Sequence, residues 1–489
     1  MNRAAAPHLA GLLVLLLTAA LTAQGLTAPF DNGDQGWSGA YYSLTARNLL
    51  RYPPTTLLGA MCIEPGALVD APAIYANHPP AIAWLLAASF ALFGEGALAA
   101  RLGPWLLSIA AAGFAYGLML RILHRHRDAA LWSALAALLA VSTPAWVYYG
   151  SLPDPQGAGV LCAILAACWA AAGWHRHRRP LDAALCGAAL LIGFTFDWPV
   201  YFAAGALALW ALPQTGGRRL AAGIAGLTTA AAALTAGWTV AVYARRGGGP
   251  HILEGLANRT GLKGLFGGAL ADDAGNALSV LDLGLGIARH HLDAGFAPAS
   301  LAGAASLVLL WRRGRRGVAG LLLVPFAAGG LHVLVFPQGA YVHQYWQLYL
   351  VAGLALPIVW AACEVTPARL RSAMIAGLLT FNVASGARAW LRAEVRWGWT
   401  AEERAVFQDV GEALRAATTP STRLVSGEPG HVALDYYGDR KIAWESESLG
   451  ADGLLSSPMG AGALEVAAAE RWGEPRSLPH GWRLWLAEP

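Results

Sequence analysis

Five short runs rich in arginine and histidine punctuate an otherwise apolar chain: RILHRHR (121–127), HRHRR (175–179), GGRR (216–219), RRGRR (312–316) and RLR (369–371). The stretches between them carry almost no charge. Only 13% of the 489 residues are charged, where a soluble domain carries about a quarter. With 56% hydrophobic residues and a mean hydropathy of +0.45, this chain has to bury apolar surface in lipid. Placing the N-terminus inside and counting crossings puts every basic run on the cytoplasmic side, as the positive-inside rule requires. That regular spacing favours short cytoplasmic loops over a nucleic-acid-binding surface.

Taking ~17–25 apolar residues as one span and allowing shorter ones, the sequence predicts about eleven membrane helices. They fall at 9–27, 98–120, 129–149, 154–174, 181–196, 198–212, 220–243, 296–311, 317–336, 347–362 and 372–389. The first is expected to stay as an anchor. The apolar segment 78–94 opens with Pro79–Pro80 and is short. If it crossed, every later basic run would move outside, so it reads as an interfacial or re-entrant helix within a first outer loop, 28–97. The expected class is an all-α polytopic membrane protein, 1–389, followed by a small outer α/β domain, 390–489. In that tail Thr400 and Glu403 form a capping box, and Val406, Phe407, Val410 and Leu414 make one helical stripe. RLVS and KIAWE read as strands. The five cysteines show no CxxC pair, hence neither a zinc motif nor a disulfide framework.

Polar residues gather on the outer side. Asp31, Asp34, Glu64 and Asp70 lie in the first loop and His78 precedes the two prolines. Asp154 sits in YYGSLPDP, Asp197 in FDWP, and His343 and Tyr345 in FPQGAYVHQYW. Arg101 opens a span on the outer side, against the charge trend, which suits a bound anion, although snorkelling would also explain it. The outer loop 244–295 is basic where it begins. Carboxylates at the mouth of a helix bundle can deprotonate a hydroxyl or hold a divalent ion; histidine and arginine can neutralise a lipid phosphate. Each has a plainer account. Asp31 can cap the turn at Asn32–Gly33. Asp154, followed by Pro155, can cap a helix. Asp197 can be the polar tip of a helical hairpin, although an acid at membrane depth is a site candidate by default. Tyr345 can be an interfacial anchor. For Asp34, the following WSGAYYSLTARNLL reads as an amphipathic helix lying flat on the bilayer, which would hold the carboxylate at headgroup level.

The order of DQGWSGAYYSLTARNLL, HPPAIAWLLAASFALFG, AARLGPWLLSIAAAGFAYGLML, YYGSLPDP and YVHQYWQLYLVAGLALP resembles the GT-C membrane glycosyltransferases. It is closest to glycosyltransferase family 39, the protein O-mannosyltransferases and the aminoarabinose transferases acting on lipid A. The resemblance implies transfer of a sugar, with inversion, from a polyprenyl-phosphate carrier to a hydroxyl-bearing acceptor (lipid, glycan or protein). The site would lie on the extracytoplasmic face of the inner cell membrane. It implies Asp34 as base or ion ligand and Asp154 as the second acid. His78, Arg101, His343 and Tyr345 would serve the donor, with Asp31 and Asp197 beside them. The family's Asp-Glu pair corresponds here to Asp34–Gln35, and Gln35 cannot ionise. A divalent ion, if one takes part, would rest on Asp34 and Asp154. The rival expectations are a transporter or lipid-linked-sugar flippase and an O-antigen-ligase-like enzyme using Arg245, Arg246 and Arg259.

Overall fold

The structure, a computed structural model, describes residues 6–23, 25–31, 34–67, 72, 74–75, 77–246, 260, 270–271, 277–293, 297–365, 373–385, 401–426, 432–444, 451–456, 463–472 and 474–486. Two compact units account for the chain. The first is Met1–Gln24, Asn77–Ala81 and Leu102–Arg392; the second is Gly25–Ala76, Ile82–Arg101 and Ala393–Pro489. The boundary expected at residue 390 therefore describes only part of the second unit, which also takes in most of the first loop.

The first unit is helical. Every apolar segment read from the sequence forms a helix, although 129–149 breaks into Ala129–Val141 and Pro144–Tyr149. The break falls where Pro144 removes a backbone donor and Thr143 turns extended. Among the described residues, four helices are long and apolar enough to cross a membrane: Ala97–Ile122, Ala158–His177, Gly217–Ala244 and Arg316–Val335. The others are apolar but shorter, such as Pro180–Phe194 and Pro199–Ala211. Small residues let these helices approach closely. A Cβ on Gly159 would lie 2.5 Å from the Phe196 ring, so that glycine is what allows the turn after Pro180–Phe194 to press against the helix Ala158–His177. Some polar side chains inside the unit bond backbone carbonyls: Asn382 Nδ2 donates to Leu139 O at 3.0 Å, and Arg121 donates to Trp169 O at 2.6 Å while lying over the Trp169 ring.

The second unit has its own core, in which Phe30, Leu44, Met61, Ile82, Leu86 and Phe90 join Phe407, Val410, Leu414 and Leu424. The tail helix Ala401–Ala417 forms, and its expected stripe is the buried face. A five-stranded sheet runs in the order Lys441–Trp444, Arg423–Ser426, Gly453–Ser456, Arg483–Leu486, Arg476–Ser477. The second strand in that order, Arg423–Ser426, is parallel to both neighbours, and the later pairings are antiparallel. The helix Asp34–Arg51, expected to lie flat on the bilayer, is largely enclosed by protein. Ser38, Gly39, Ala40, Tyr42 to Ala46, Arg47 and Asn48 are buried in the protein, leaving Trp37 and Leu50 as its exposed large apolar side chains. Its run of small residues has no continuous greasy face to offer lipid, and fits a tight protein interior instead. Asn48 Nδ2 donates to Cys62 O and Glu64 O. At its start, a Cβ on Gly36 would strike Asp31 Oδ1 and the Asp31 backbone, so the glycine admits the folded-back approach of the chain.

An ionic knot fixes this helix within the second unit. Asp439, in the left-handed region at φ +50°, accepts from Arg51 at 2.6 Å, Arg47 at 3.2 Å and the Gly66 amide at 3.0 Å. These donors hold its carboxyl down at about 2 against the cost of burial. Because the folded value lies below the unfolded one, the stabilisation is complete above about pH 4 and disappears as pH falls towards 2. Asp439→Asn, which still tolerates the left-handed backbone, is expected to cost about 2 kcal/mol at neutral pH, because Arg51 and Arg47 lose a charged acceptor while Arg47 keeps Glu95 and the Tyr436 carbonyl. Hydrogen exchange of residues 34–51 and 432–444 in the full chain checks this: protection should fall in the variant at pH 7, with the difference narrowing in acid.

Candidate active site

The polar turns of the first unit supply its chemistry, because helix interiors consume their own backbone donors and acceptors. The segment Asn77–Ala81 is clamped onto the turn at 195–198. The Ala81 amide donates to Thr195 O at 3.1 Å and Trp198 Nε1 to Asn77 O at 2.9 Å. Between these two bonds, His78 Nδ1 lies 2.7 Å from Asp197 Oδ1. Asp197 is fully buried, and its Oδ2 has no hydrogen-bond partner among the described residues. The polar hairpin tip weighed from the sequence is thus an enclosed carboxylate, and His78 is its ion-pair partner.

Asp154 is 4% exposed and lies in the turn ahead of the helix Ala158–His177. It does not cap that helix. Its Oδ1 accepts from the Gln156 amide at 2.8 Å, an Asx-type turn, while Gly157 occupies the cap position. The Tyr345 hydroxyl also donates to Asp154, and His78 and Asp197 act on it through space. Burial outweighs these bonds and pushes the Asp154 carboxyl up to about 6. Tyr345 stands 5.2 Å from the His343 ring and 5.6 Å from the Tyr149 ring, centroid to centroid. The structure therefore brings together His78, Asp154, Asp197 and Tyr345, with His343 beside Tyr345.

Asp31, Asp34, Glu64, Asp70 and Arg101 belong to the second unit. Asp34 is the first residue of its helix, and its side chain lies outside the described atoms. Asp31 folds against Gly36. Glu64 pairs with Lys441 at 3.1 Å, and Asp70 lies outside the described residues. Arg101 is buried at 2% exposure, donates to Ala28 O, and lies 5.0 Å from the Phe30 ring centroid. Its guanidinium holds the entry of the first loop in place rather than snorkelling to the surface. Arg245, Arg246 and Arg259 also fall outside the described side chains. Among the described residues no three His, Cys, Asp or Glu side chains converge as metal ligands.

Sequence reasoning missed the second layer around the site. Tyr349 donates to Gln156 O, behind the Asp154 turn. His332 is completely enclosed, with its ring centroid 4.2 Å from that of Trp346, and it is electrostatically coupled to Asp197 and His78. A histidine inside the apolar run LLLVPFAAGGLHVLVF was the available signal.

Residues 77–243, which include His78, Asp154 and Asp197, match the sequence profile of the family described as dolichyl-phosphate-mannose-protein mannosyltransferase. No curated protein matches the chain. Among solved structures, the chain is similar to ArnT from Cupriavidus metallidurans in the apo state, with TM-score 0.61, 14% identity, and 98% of each chain covered. ArnT from the same organism bound to undecaprenyl phosphate gives 0.60 and 13%, covering 98% of this chain and 99% of that one. AglB, an archaeal oligosaccharyltransferase from Archaeoglobus fulgidus in complex with an inhibitory peptide and a dolichol-phosphate, gives 0.56 and 12%, covering 98% and 74%. The chain shares the fold of these ArnT and AglB structures.

Since Asp154 titrates higher in the folded chain than unfolded, its ionisation opposes folding as pH rises from about 4 to about 6. Asp154→Asn keeps an acceptor for the Gln156 amide without the charge. Thermal unfolding in detergent is expected to show the variant melting several degrees above the parent at pH 8, the two converging below pH 4.

Proposed function

We propose that this GT-C-fold chain is an integral membrane glycosyltransferase of the inner cell membrane. It takes a sugar from a polyprenyl-phosphate carrier on the extracytoplasmic face and passes it, with inversion, to a hydroxyl-bearing acceptor. The observation that carries the reading is the enclosed cluster of His78, Asp154, Asp197 and Tyr345, three of whose members fall within the stretch that matches the mannosyltransferase family. Two of the similar structures support the carrier class: ArnT bound to undecaprenyl phosphate and AglB with a dolichol-phosphate.

The chemistry follows from the charges. A carrier keeps its isoprenoid tail in lipid and presents its phosphate where the helices end. His78 neutralises that phosphate as the sugar leaves, with His343 assisting. Arg101, already committed to Ala28 O and the Phe30 ring, is given no such role. Asp34, carried over from the family's first-loop acid, takes the proton of the acceptor hydroxyl. With Gln35 beside it, one carboxylate does this work unless Asp31 shares it. Asp154 and Tyr345 form a hydrogen-bonded pair that orients the donor's leaving oxygen. A divalent ion, if one takes part, would rest on Asp34 and Asp154 and would polarise the acceptor hydroxyl there.

Transfer of radiolabelled sugar from a polyprenyl-phosphate donor, by the full chain in vesicles, is the test. Asp34→Asn is expected to lower it by about 10²–10⁴, the usual worth of a general base, with unchanged expression and thermal unfolding. Full activity in that variant would reject the assignment of Asp34. Activity that collapses on chelation and returns with a divalent ion would instead bring an ion into the mechanism.

A further inference from the structure

Segment 77–81 is grouped with the first unit, while the chain on both sides of it belongs to the second. Three bonds to a single turn, 195–198, hold it there: Ala81 N to Thr195 O, Trp198 Nε1 to Asn77 O, and the central His78–Asp197 pair. Pro79 and Pro80 stiffen the backbone that follows the histidine. The turn itself is fixed, since the Asp197 amide donates to Gly193 O and Phe196 is wedged against Gly159. A buried carboxylate in such a rigid turn is costly unless it holds a cation. Among the described residues, His78 is the basic group within ion-pair distance of Asp197.

From this geometry we infer that Asp197 is a positioning residue: it fixes the His78 ring through Nδ1 and keeps it cationic, so that the imidazolium acts through Nε2 on the phosphate of the lipid carrier. The inference rests on the carrier reading above and adds to it how that phosphate meets a positive charge. The logic is that of a carboxylate behind a working histidine, which sets both tautomer and charge. The groups facing the pair are Asp154, which feels both members; His332, which also feels both; and Tyr201 and Tyr349, which feel Asp197. Two carboxylates, Asp154 and Asp197, thus face the one histidine. Asp197 itself does not touch the substrate. That differs from the direct binding role expected from the sequence.

Two measurements on the full chain in nanodiscs test this. The first needs no ligand: the rate at which diethyl pyrocarbonate modifies His78, followed by peptide mass spectrometry from pH 5.5 to 8.5. The reagent takes the neutral ring, so Asp197→Asn should raise the rate at pH 7 by about tenfold and move the rise to lower pH, as loss of a charge-assisted bond predicts. The second is binding of undecaprenyl phosphate. Asp197→Asn should weaken it about tenfold or more at pH 7. In a His78→Lys background, where the cation needs no partner to stay charged, the same change should cost less than about threefold. An unaltered modification profile, or an equal loss of binding in the lysine background, would overturn the inference and leave the carrier reading standing. If the parent protein bound no undecaprenyl phosphate, the carrier reading would fall instead, whatever the modification profile.

Discussion

Lipid offers no partner for a backbone amide or carbonyl, so a chain this apolar has to satisfy its main chain within helices. Everything polar is then pushed to where helices stop. The described site obeys that constraint closely. His78 lies in the break before Ala81–Phe93, Asp154 in the turn before Ala158–His177, Asp197 between two short helices, and Tyr345 in the turn between Pro337–Val342 and Leu348–Val365. Four turns distant in sequence thereby supply a histidine, two carboxylates and a phenol within mutual electrostatic and hydrogen-bonding reach. The site sits there because those are the places where such a bundle can hold polar groups.

Burial then decides how those groups behave. Asp154 and Asp439 are both enclosed carboxylates, yet they are driven in opposite directions. Asp439 meets two guanidinium groups and an amide and is held at about 2. Asp154 meets one amide and one phenol, neither charged, and rises to about 6. The first behaves as a permanent charge suited to holding a fold together. The second can change its proton count near neutrality, which is what a site handling hydroxyl groups and phosphates requires.

Apolar segments and short alternating strands were legible in the sequence because period and length suffice to read them: the spans became helices, and RLVS and KIAWE became neighbouring parallel strands. The polar turns were legible as well, since an acid amid apolar residues stands out. What the sequence hid was non-local. The helix Asp34–Arg51 looked amphipathic, but its Arg47 reaches into protein contributed by residues nearly 400 positions later, Tyr436 and Asp439. Asp154 looked like a cap, and only the placement of Gly157 reveals the Asx turn. Asp197 looked solvated because nothing local announces that residues 77–81 will cover it. Tyr349, His332 and Gln156 carry no motif at all.

The packing of Phe196 on Gly159 carries a genetic implication. Nothing reactive touches Gly159, yet a methyl group there would push on the ring next to Asp197, and through Asp197 on His78. In a collection of natural or random variants, a mild-looking alanine at this position would score as a loss of activity in a protein that is still made and still inserted. It would mark an address on the helix Ala158–His177 that governs the histidine from behind.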